Sequence, residues 1–252
     1  MILEQLKFFE SIHSTNVTLM NEHSFYLEHW DKRFDFYGIY TDEQTQGKGL
    51  GSNTWYSHKG QNILISFLFQ PPITIQNQFY FNQYFSLAIY TFLSRYVDNL
   101  TIKWPNDIYA GNKKIAGILI EHSIQGSNLQ CTIAGVGINI NQTRFDPTIL
   151  NPTSLAQITG KEFDVTMLIS ELMRILEKQY QLIKEQKFEV LEQNYLSHLY
   201  QYQKWAQYRI KDQLITGRIM GLSSYGQLLI ECESGAIYTC NYKEVKFLIL
   251  TE

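Results

Sequence analysis

The chain has 252 residues, of which 44% are hydrophobic and 18% charged, with a formal net charge of -3. This composition supports a sizeable core, excludes a disordered chain, and leaves no electrostatic footprint for nucleic acid. No apolar run approaches the roughly 20 residues that span a bilayer. The opening Met1-Ile-Leu-Glu-Gln-Leu-Lys is unlike a signal peptide, so a cytoplasmic protein with neither DNA nor membrane as partner is expected.

Ser14-Thr15-Asn16, ahead of Val17-Thr18-Leu19-Met20, reads as a helix N-cap. The same three small polar side chains, beside the free N–H groups of a helix start, also suit the head of a neutral ligand or an anion. Period-two apolar residues at Phe34, Phe36 and Tyr40 predict a strand that feeds the segment from Thr41 to Trp55. There Gly47, Gly49 and Gly51 let backbone approach a ligand closely, with Lys48 between the first two as a mobile point charge. Trp55 ends the segment with a broad apolar face. A plain flexible loop accounts for the glycines equally well.

Ile63 to Phe69 is a continuous apolar run, expected of a strand buried on both faces, and Pro71-Pro72 ends it. Tyr84, Leu87, Ala88, Phe92 and Tyr96 place an amphipathic helix over Gln83 to Asp98. Leu100-Thr101-Ile102 begins a strand that runs into Lys103-Trp104-Pro105-Asn106-Asp107, where proline requires a sheet edge or a strand end. The polar residues there fit a ligand site, although an Asn/Asp turn explains two of them. Gly111-Asn112 predicts a hairpin turn into the strand Lys113 to Glu121, with one of Lys113 and Lys114 left in solvent. Gly117 inside that strand implies close approach of a ligand or another backbone.

Leu129 to Asn141 reads as a further strand region. Gly135 and Gly137 lack the third glycine and the following helix of a dinucleotide site, and Asn139 needs a hydrogen-bond partner if buried. Asn151 to Leu155 predicts a turn capping a short helix through Ala156-Gln157-Ile158, and Thr166 to Leu196 one long scaffold helix. After Trp205 come short strands over Tyr208–Lys211, Leu214–Leu222, Leu228–Cys232, Ala236–Asn241 and Val245–Leu250, which predict a small closed barrel. Domains are therefore expected at 1–200 and 201–252. Cys131, Cys232 and Cys240 match no metal spacing and read as reduced thiols.

Five segments occur in the order found in biotin protein ligases: Ser14-Thr15-Asn16; Gln44 to Gly49 with Trp55; Lys103 to Asp107; Lys114 to Glu121; and Gly135-Val136-Gly137-Ile138-Asn139. The resemblance covers the whole chain. It implies an α+β fold, a mixed β-sheet catalytic domain of the biotin/lipoate ligase type with helices packed on it, followed by a small SH3-like β-barrel. It also implies a two-step ligase. Biotin and ATP, with Mg²⁺, give biotinyl-5'-AMP and pyrophosphate, and biotin then passes to one lysine of a biotin carboxyl carrier protein, that of acetyl-CoA carboxylase or a related enzyme.

By the same resemblance, Ser14, Thr15, Asn16 and Gln44 surround the biotin head, while Lys48, Gly49, Leu50, Lys114 and Gly117 follow its tail. Trp55, Lys103, Asn106, Lys114, Gly117 and Asn139 fall to the nucleotide side. Lys114 and Lys48 neutralise the reacting anions, and Asp107 either orients the carrier lysine or supports Lys114. Metal ligands stay unassigned, and monomer and homodimer both stay open. Bacterial members often carry arginines at the positions of Leu50, Gly51 and Asn53, so a looser hold on the adenylate is expected here. Only 13 residues precede Ser14, too few for the winged helix-turn-helix of repressor-type members. A lipoate ligase and a non-catalytic ligand-binding module are the competing readings.

Overall fold

The computed structural model describes residues 2–51, 53–126 and 128–248. Its central element is a seven-stranded sheet. Strand β1 (Leu6–Ile12), helix α1 (Thr15–Glu28) and strand β2 (Phe36–Gln44) form one unit in which β1 lies parallel to β2. Then follow β3 (Ile63–Phe69), α2 (Gln78–Leu93), β4 (Leu100–Lys103), β5 (Asp107–Ala110), β6 (Lys113–Gln125) and β7 (Asn128–Ile138). The order across the sheet is β1-β2-β3-β7-β6-β5-β4, with every pairing other than β1–β2 antiparallel.

All seven residues of β3 are buried, because helices cover both faces of the sheet. On one face Phe67 and Phe69 pack with α2 and with α4 (Val165–Lys184), around Tyr84, Phe85 and Leu176. On the other, α1 lays Leu19 against Ile39, Leu68 and Ile133. A short helix α3 (Leu155–Thr159) and α5 (Phe188–Ser197) complete the helices. In α3 the Ser154 hydroxyl accepts from Gln157 N, the expected cap.

The C-terminal segment forms β8 (Trp205–Ile210), β9 (Gln213–Leu222), β10 (Leu228–Cys232), β11 (Ile237–Cys240) and β12 (Val245–Phe247). These make a five-stranded antiparallel sheet in the order β11-β10-β9-β8-β12. Among the described residues no ladder joins the end strands β11 and β12, so the hydrogen-bonded sheet stays open there. The predicted strand end at 249–250 lies outside the described residues. Tyr208, Ile219, Leu228 and Ile230 share one continuous core with the larger sheet, and Trp104 Nε1 donates to Gly226 O across the junction at 3.0 Å.

Two helices differ from the expectation. α2 starts five residues before the predicted Gln83, directly after a 3₁₀ turn at Ile75–Asn77, and its N-cap Asn77 makes no side-chain cap bond to mark the start. The predicted helix over Thr166 to Leu196 is two helices, broken where Gln186 takes the left-handed φ of 53°. No glycine or proline announces that break.

Candidate active site

The site lies on the α1 face of the sheet, where the floor has almost no side chains. Gly117 of β6 pairs with Gly137 of β7, and Gly135 of β7 pairs with Ser66 of β3. A Cβ on Gly135 would run into Asn16 Oδ1, and one on Gly137 into the Trp55 indole. A Cβ on Gly117 would stand 2.7 Å from the Trp55 ring. The close approach anticipated at Gly117 is therefore made by the tryptophan that ends the glycine loop.

One end of the resulting cavity, about 590 Å³ in volume, is neutral and tightly bonded. Ser14, Thr15 and Asn16 at the start of α1 are all buried. Ser14 holds the N-cap position but makes no side-chain cap bond, so its hydroxyl is not spent on the helix. Thr15 N donates to Gln44 Oε1 at 2.8 Å. Asn16 Nδ2 donates to Glu121 Oε2 at 2.8 Å and to Leu119 O at 3.2 Å, which fixes its amide orientation. Ser66 Oγ stands 2.6 Å from both Asn16 Oδ1 and Thr15 Oγ1. Since Asn16 Oδ1 only accepts, the Ser66 hydrogen goes to it, and the threonine hydroxyl completes the chain. Buried groups wired in this way hold one geometry, because breaking any link leaves a polar atom unpaired.

The other end is cationic. Lys114 reaches it through a β-bulge. Ile108 opposes Ala116 while the next residue, Tyr109, opposes Lys114, so Ile115 is an extra residue on β6. The extra residue offsets the alternation of side chains by one position. Lys114 and Gly117, three apart, thereby share the cavity face, and a Cβ on Gly117 would stand 3.1 Å from Lys114 Nζ. The Lys114 backbone is clamped by Asn151 O at 2.7 Å and Thr153 N at 2.9 Å. Its ammonium pairs with Asp107 Oδ1 at 2.8 Å and lies 5.6 Å from the Trp55 ring centre. Lys113 is exposed, the fate expected for one of the two lysines.

Lys103, at the end of edge strand β4, donates to Tyr109 Oη at 3.3 Å and sits 5.0 Å from that ring and 5.5 Å from the ring of Phe247. Burial pushes its pKa down, and the Asp107 charge opposes that shift. Asn106 is buried in the turn that follows. Glycine loop and cavity meet in a small hairpin: Gly49 N donates to Asn53 O at 2.8 Å, Trp55 N to Gly47 O at 2.9 Å, and Lys48 bridges to Thr54. Lys48 is exposed but lines the same cavity, as do Gly49 and Leu50.

Of the predicted site residues, Asn139 alone is absent from the cavity wall. It is buried one strand-end further on and donates to Thr153 O at 2.9 Å, holding the loop that positions Lys114. Sequence reasoning missed Ser66, Glu121 and the whole contribution of the C-terminal sheet. Tyr242, Lys243, Lys246 and Phe247 all line the cavity. Glu121 was within a quoted motif, but nothing in a linear pattern signals that Lys243 and Lys246 reach a site whose other residues lie so much earlier in the chain.

The profile of the biotin/lipoate A/B protein ligase family matches residues 8–139. The chain belongs to this family. Within it, the chain is 29% identical over 201 residues to the bifunctional ligase/repressor BirA of Bacillus spizizenii, a match that takes in 78% of this chain and 62% of that protein. It is 31% identical over 217 residues to the human biotin–protein ligase, covering 78% of this chain and 28% of the human one. Among solved structures, the biotin protein ligase from Aquifex aeolicus in complex with biotin and ATP superimposes with a TM-score of 0.76 at 26% identity, over 96% of this chain and 98% of that one. No described helix is long and apolar enough to cross a membrane.

Proposed function

We propose that the protein is a biotin protein ligase that activates biotin with ATP and transfers it to a lysine of a biotin carboxyl carrier protein. The observation that carries this reading is the division of one cavity into a neutral, hydrogen-bonding end and a cationic end. That division fits a molecule with an uncharged polar head and an acidic tail. A cyclic urea offers two N–H donors and a carbonyl to Ser14, Thr15, Asn16 and Gln44. The dithiolane of lipoate offers none of these and would leave buried polar groups unpaired, a discrimination of the kind worth several orders of magnitude in rate. The biotin and ATP bound to the Aquifex relative support the same choice.

In the first step the biotin carboxylate attacks the α-phosphorus of ATP and pyrophosphate leaves. Lys114, facing Gly117 over the sheet floor, neutralises both anions, and Lys48 closes over the tail from the loop. Trp55, Lys103 and Asn106 flank the nucleotide. In the second step a carrier lysine amine attacks the acyl carbon and AMP departs; Asp107 orients that amine or holds Lys114 in place. A match to a biotin–[acetyl-CoA-carboxylase] ligase of Paracoccus denitrificans, 36% identical over 69 residues, supports a carboxylase as acceptor.

Among the described residues no group of three His, Cys, Asp or Glu side chains is placed to hold a metal. The cavity's carboxylate, Asp107, is already paired. If Mg²⁺ takes part, Asp107 is the cavity carboxylate that would face it, and the ion would supply further positive charge to the phosphates. Residues 1–200 carry most of the ligand contacts and 201–252 complete the wall. Incubation with ATP, Mg²⁺ and either biotin or lipoate tests the reading. Biotinyl-AMP by mass, with pyrophosphate released only in the presence of biotin, is expected; lipoyl-AMP in its place overturns it.

A further inference from the structure

Two side chains of the neutral network, Ser66 and Glu121, are absent from the cavity wall. Ser66 is fully buried on β3, and Glu121 on β6 lines a neighbouring cleft behind the glycine loop, together with Thr45, Lys48 and Tyr56. They reach the ligand space only through Thr15 and Asn16, so their bonds decide which atoms those two residues show to it. The hydrogens can be assigned one by one. Asn16 Nδ2 has two, of which one goes to Glu121 Oε2 at 2.8 Å and the other to Leu119 O at 3.2 Å. Carboxylate and carbonyl only accept, so Asn16 shows the cavity its Oδ1 alone. One lone pair of that oxygen takes the Ser66 hydrogen at 2.6 Å, and the other is left for a ligand. Ser66 has no second hydrogen, so the Thr15 hydroxyl supplies the one in their 2.6 Å contact. Gln44 is oriented separately: its Oε1 faces Thr15 N at 2.8 Å, because a backbone N–H cannot accept. That turns Gln44 Nε2 away, and among the described residues it has no hydrogen-bond partner. The head of a ligand therefore meets an acceptor at Asn16 and a donor at Gln44.

Glu121 makes the shorter of the two bonds that set the Asn16 amide, and it is the charged partner. Without it the amide keeps the 3.2 Å bond alone. Ser66 cannot hold the orientation in its place, because a hydroxyl donates as readily as it accepts. An amide that turns over presents Nδ2 to the cavity and repels an N–H of the ligand. We propose that Glu121 is a positioning residue that sets specificity: from outside the cavity it holds Asn16 as an acceptor, and so selects a head group that brings an N–H to that point. The inference rests on the ligase reading above, in which this N–H belongs to the ureido ring of biotin.

Glu121→Met in the full chain removes the acceptor at similar side-chain length, with Glu233→Gln, an exposed acid away from the cavity, as control. Steady-state adenylate formation is followed while biotin is varied, and biotin affinity is measured separately by titration without nucleotide. KM for biotin is expected to rise about tenfold, the scale of one hydrogen bond to a charged group, with kcat at saturating biotin within a few-fold of wild type. The N-methylbiotins, each lacking one ureido N–H, give a readout that a purely structural role would not move. Their methyl groups crowd wild type and variant alike. The affinity ratio of biotin to methylbiotin is therefore expected to shrink about tenfold in Glu121→Met for one isomer and to hold for the other. A polarity exchange tests the same contact through other variants. Asn16→Asp sets two carboxylates against each other and is expected to weaken biotin binding about a hundredfold; Asn16→Asp with Glu121→Gln, in which the glutamine donates, is expected to regain about tenfold of that. Unchanged KM and unchanged methylbiotin ratios in folded Glu121→Met overturn the inference, as does an exchange pair that regains nothing, and either leaves the ligase reading standing. A wild-type chain that forms no biotinyl-AMP overturns the ligase reading itself.

Discussion

The two ends of the cavity are built on opposite principles. At the neutral end Thr15, Asn16, Gln44, Ser66 and Glu121 are linked by bonds of 2.6–2.8 Å over a glycine that admits no other residue. At the cationic end Lys48, Lys243 and Lys246 are exposed and lack ion-pair partners among the described residues, and Lys114 keeps a single, largely buried one. A neutral head group costs far less to desolvate than a charge and is compensated by hydrogen bonds alone, so its pocket can be finished before the ligand arrives. Buried unpaired cations cannot be stored in that way, because their charge has to remain near water until an anion replaces it. Rigidity and charge are therefore kept apart.

The sharpest way to break this contrast is to remove the cation nearest the floor. Lys114→Met is expected to lower the rate of adenylate formation by about 10²–10³-fold, the usual cost of losing a preorganised charge in an active site. Stability is expected to fall as well, by roughly 1–3 kcal/mol, because the Lys114 and Asp107 side chains are only 30% and 28% exposed and the substitution leaves the carboxylate unpaired. Biotin retention by the variant, measured by calorimetry, checks that the neutral end is independent. A variant whose rate stays within a few-fold of wild type would mean that Lys48 or the C-terminal lysines carry the charge instead.

Adding a methyl group at either end sharpens the same comparison. Gly135→Ala drives a Cβ into Asn16 Oδ1, whose side chain is held by Leu119, Glu121 and Ser66 and cannot swing away. A loss of roughly 1–3 kcal/mol in urea unfolding is expected, together with weaker biotin binding. Gly51→Ala meets only the tip of the Lys243 side chain, which can move, so the positive φ of 72° there sets its cost. That cost is expected to be about 1 kcal/mol, with biotin affinity intact. Equal effects on biotin binding from both substitutions would show that the ends are one unit.

How far the sequence disclosed this arrangement follows from the range of each signal. β3 was legible to the residue because a seven-residue run with six apolar side chains, broken only by Ser66, has few other uses. The strand end at Lys103, the hairpin at Gly111 and the exposure of one of the two lysines after it were legible because turns are local; which lysine it would be, Lys113, was not. Ser14 to Asn16 carried two readings, cap and ligand contact, and Ser14 does take the N-cap position of α1, without a side-chain bond. The bulge at Ile115 was not legible: it is a mismatch between two strands, and neither strand alone encodes it. Asn139 was expected to need a hydrogen-bond partner if buried, and its amide finds a backbone one in Thr153 O, behind Lys114. Lys243 and Lys246 reach the site only through the packing of the small sheet on the large one.

Acid should act on the strand that anchors the neutral end. One residue past Glu121 on β6, His122 is enclosed with its Nδ1 2.9 Å from Thr132 Oγ1, and burial lowers its pKa from 6.5 to about 4. The unfolded chain takes up this proton as pH falls through 6.5, whereas the folded chain takes it up only near 4. Stability from this residue is thus complete above pH 6.5 and declines across that window, by up to roughly 3 kcal/mol. Urea midpoints at pH 7 and pH 4.5, for wild type and His122→Gln, measure it. The exposed carboxylates titrate in both proteins, so the difference between them isolates the histidine. The variant is expected to lose distinctly less stability on acidification. Parallel losses in the two proteins would place the acid sensitivity elsewhere than on the strand that anchors Asn16.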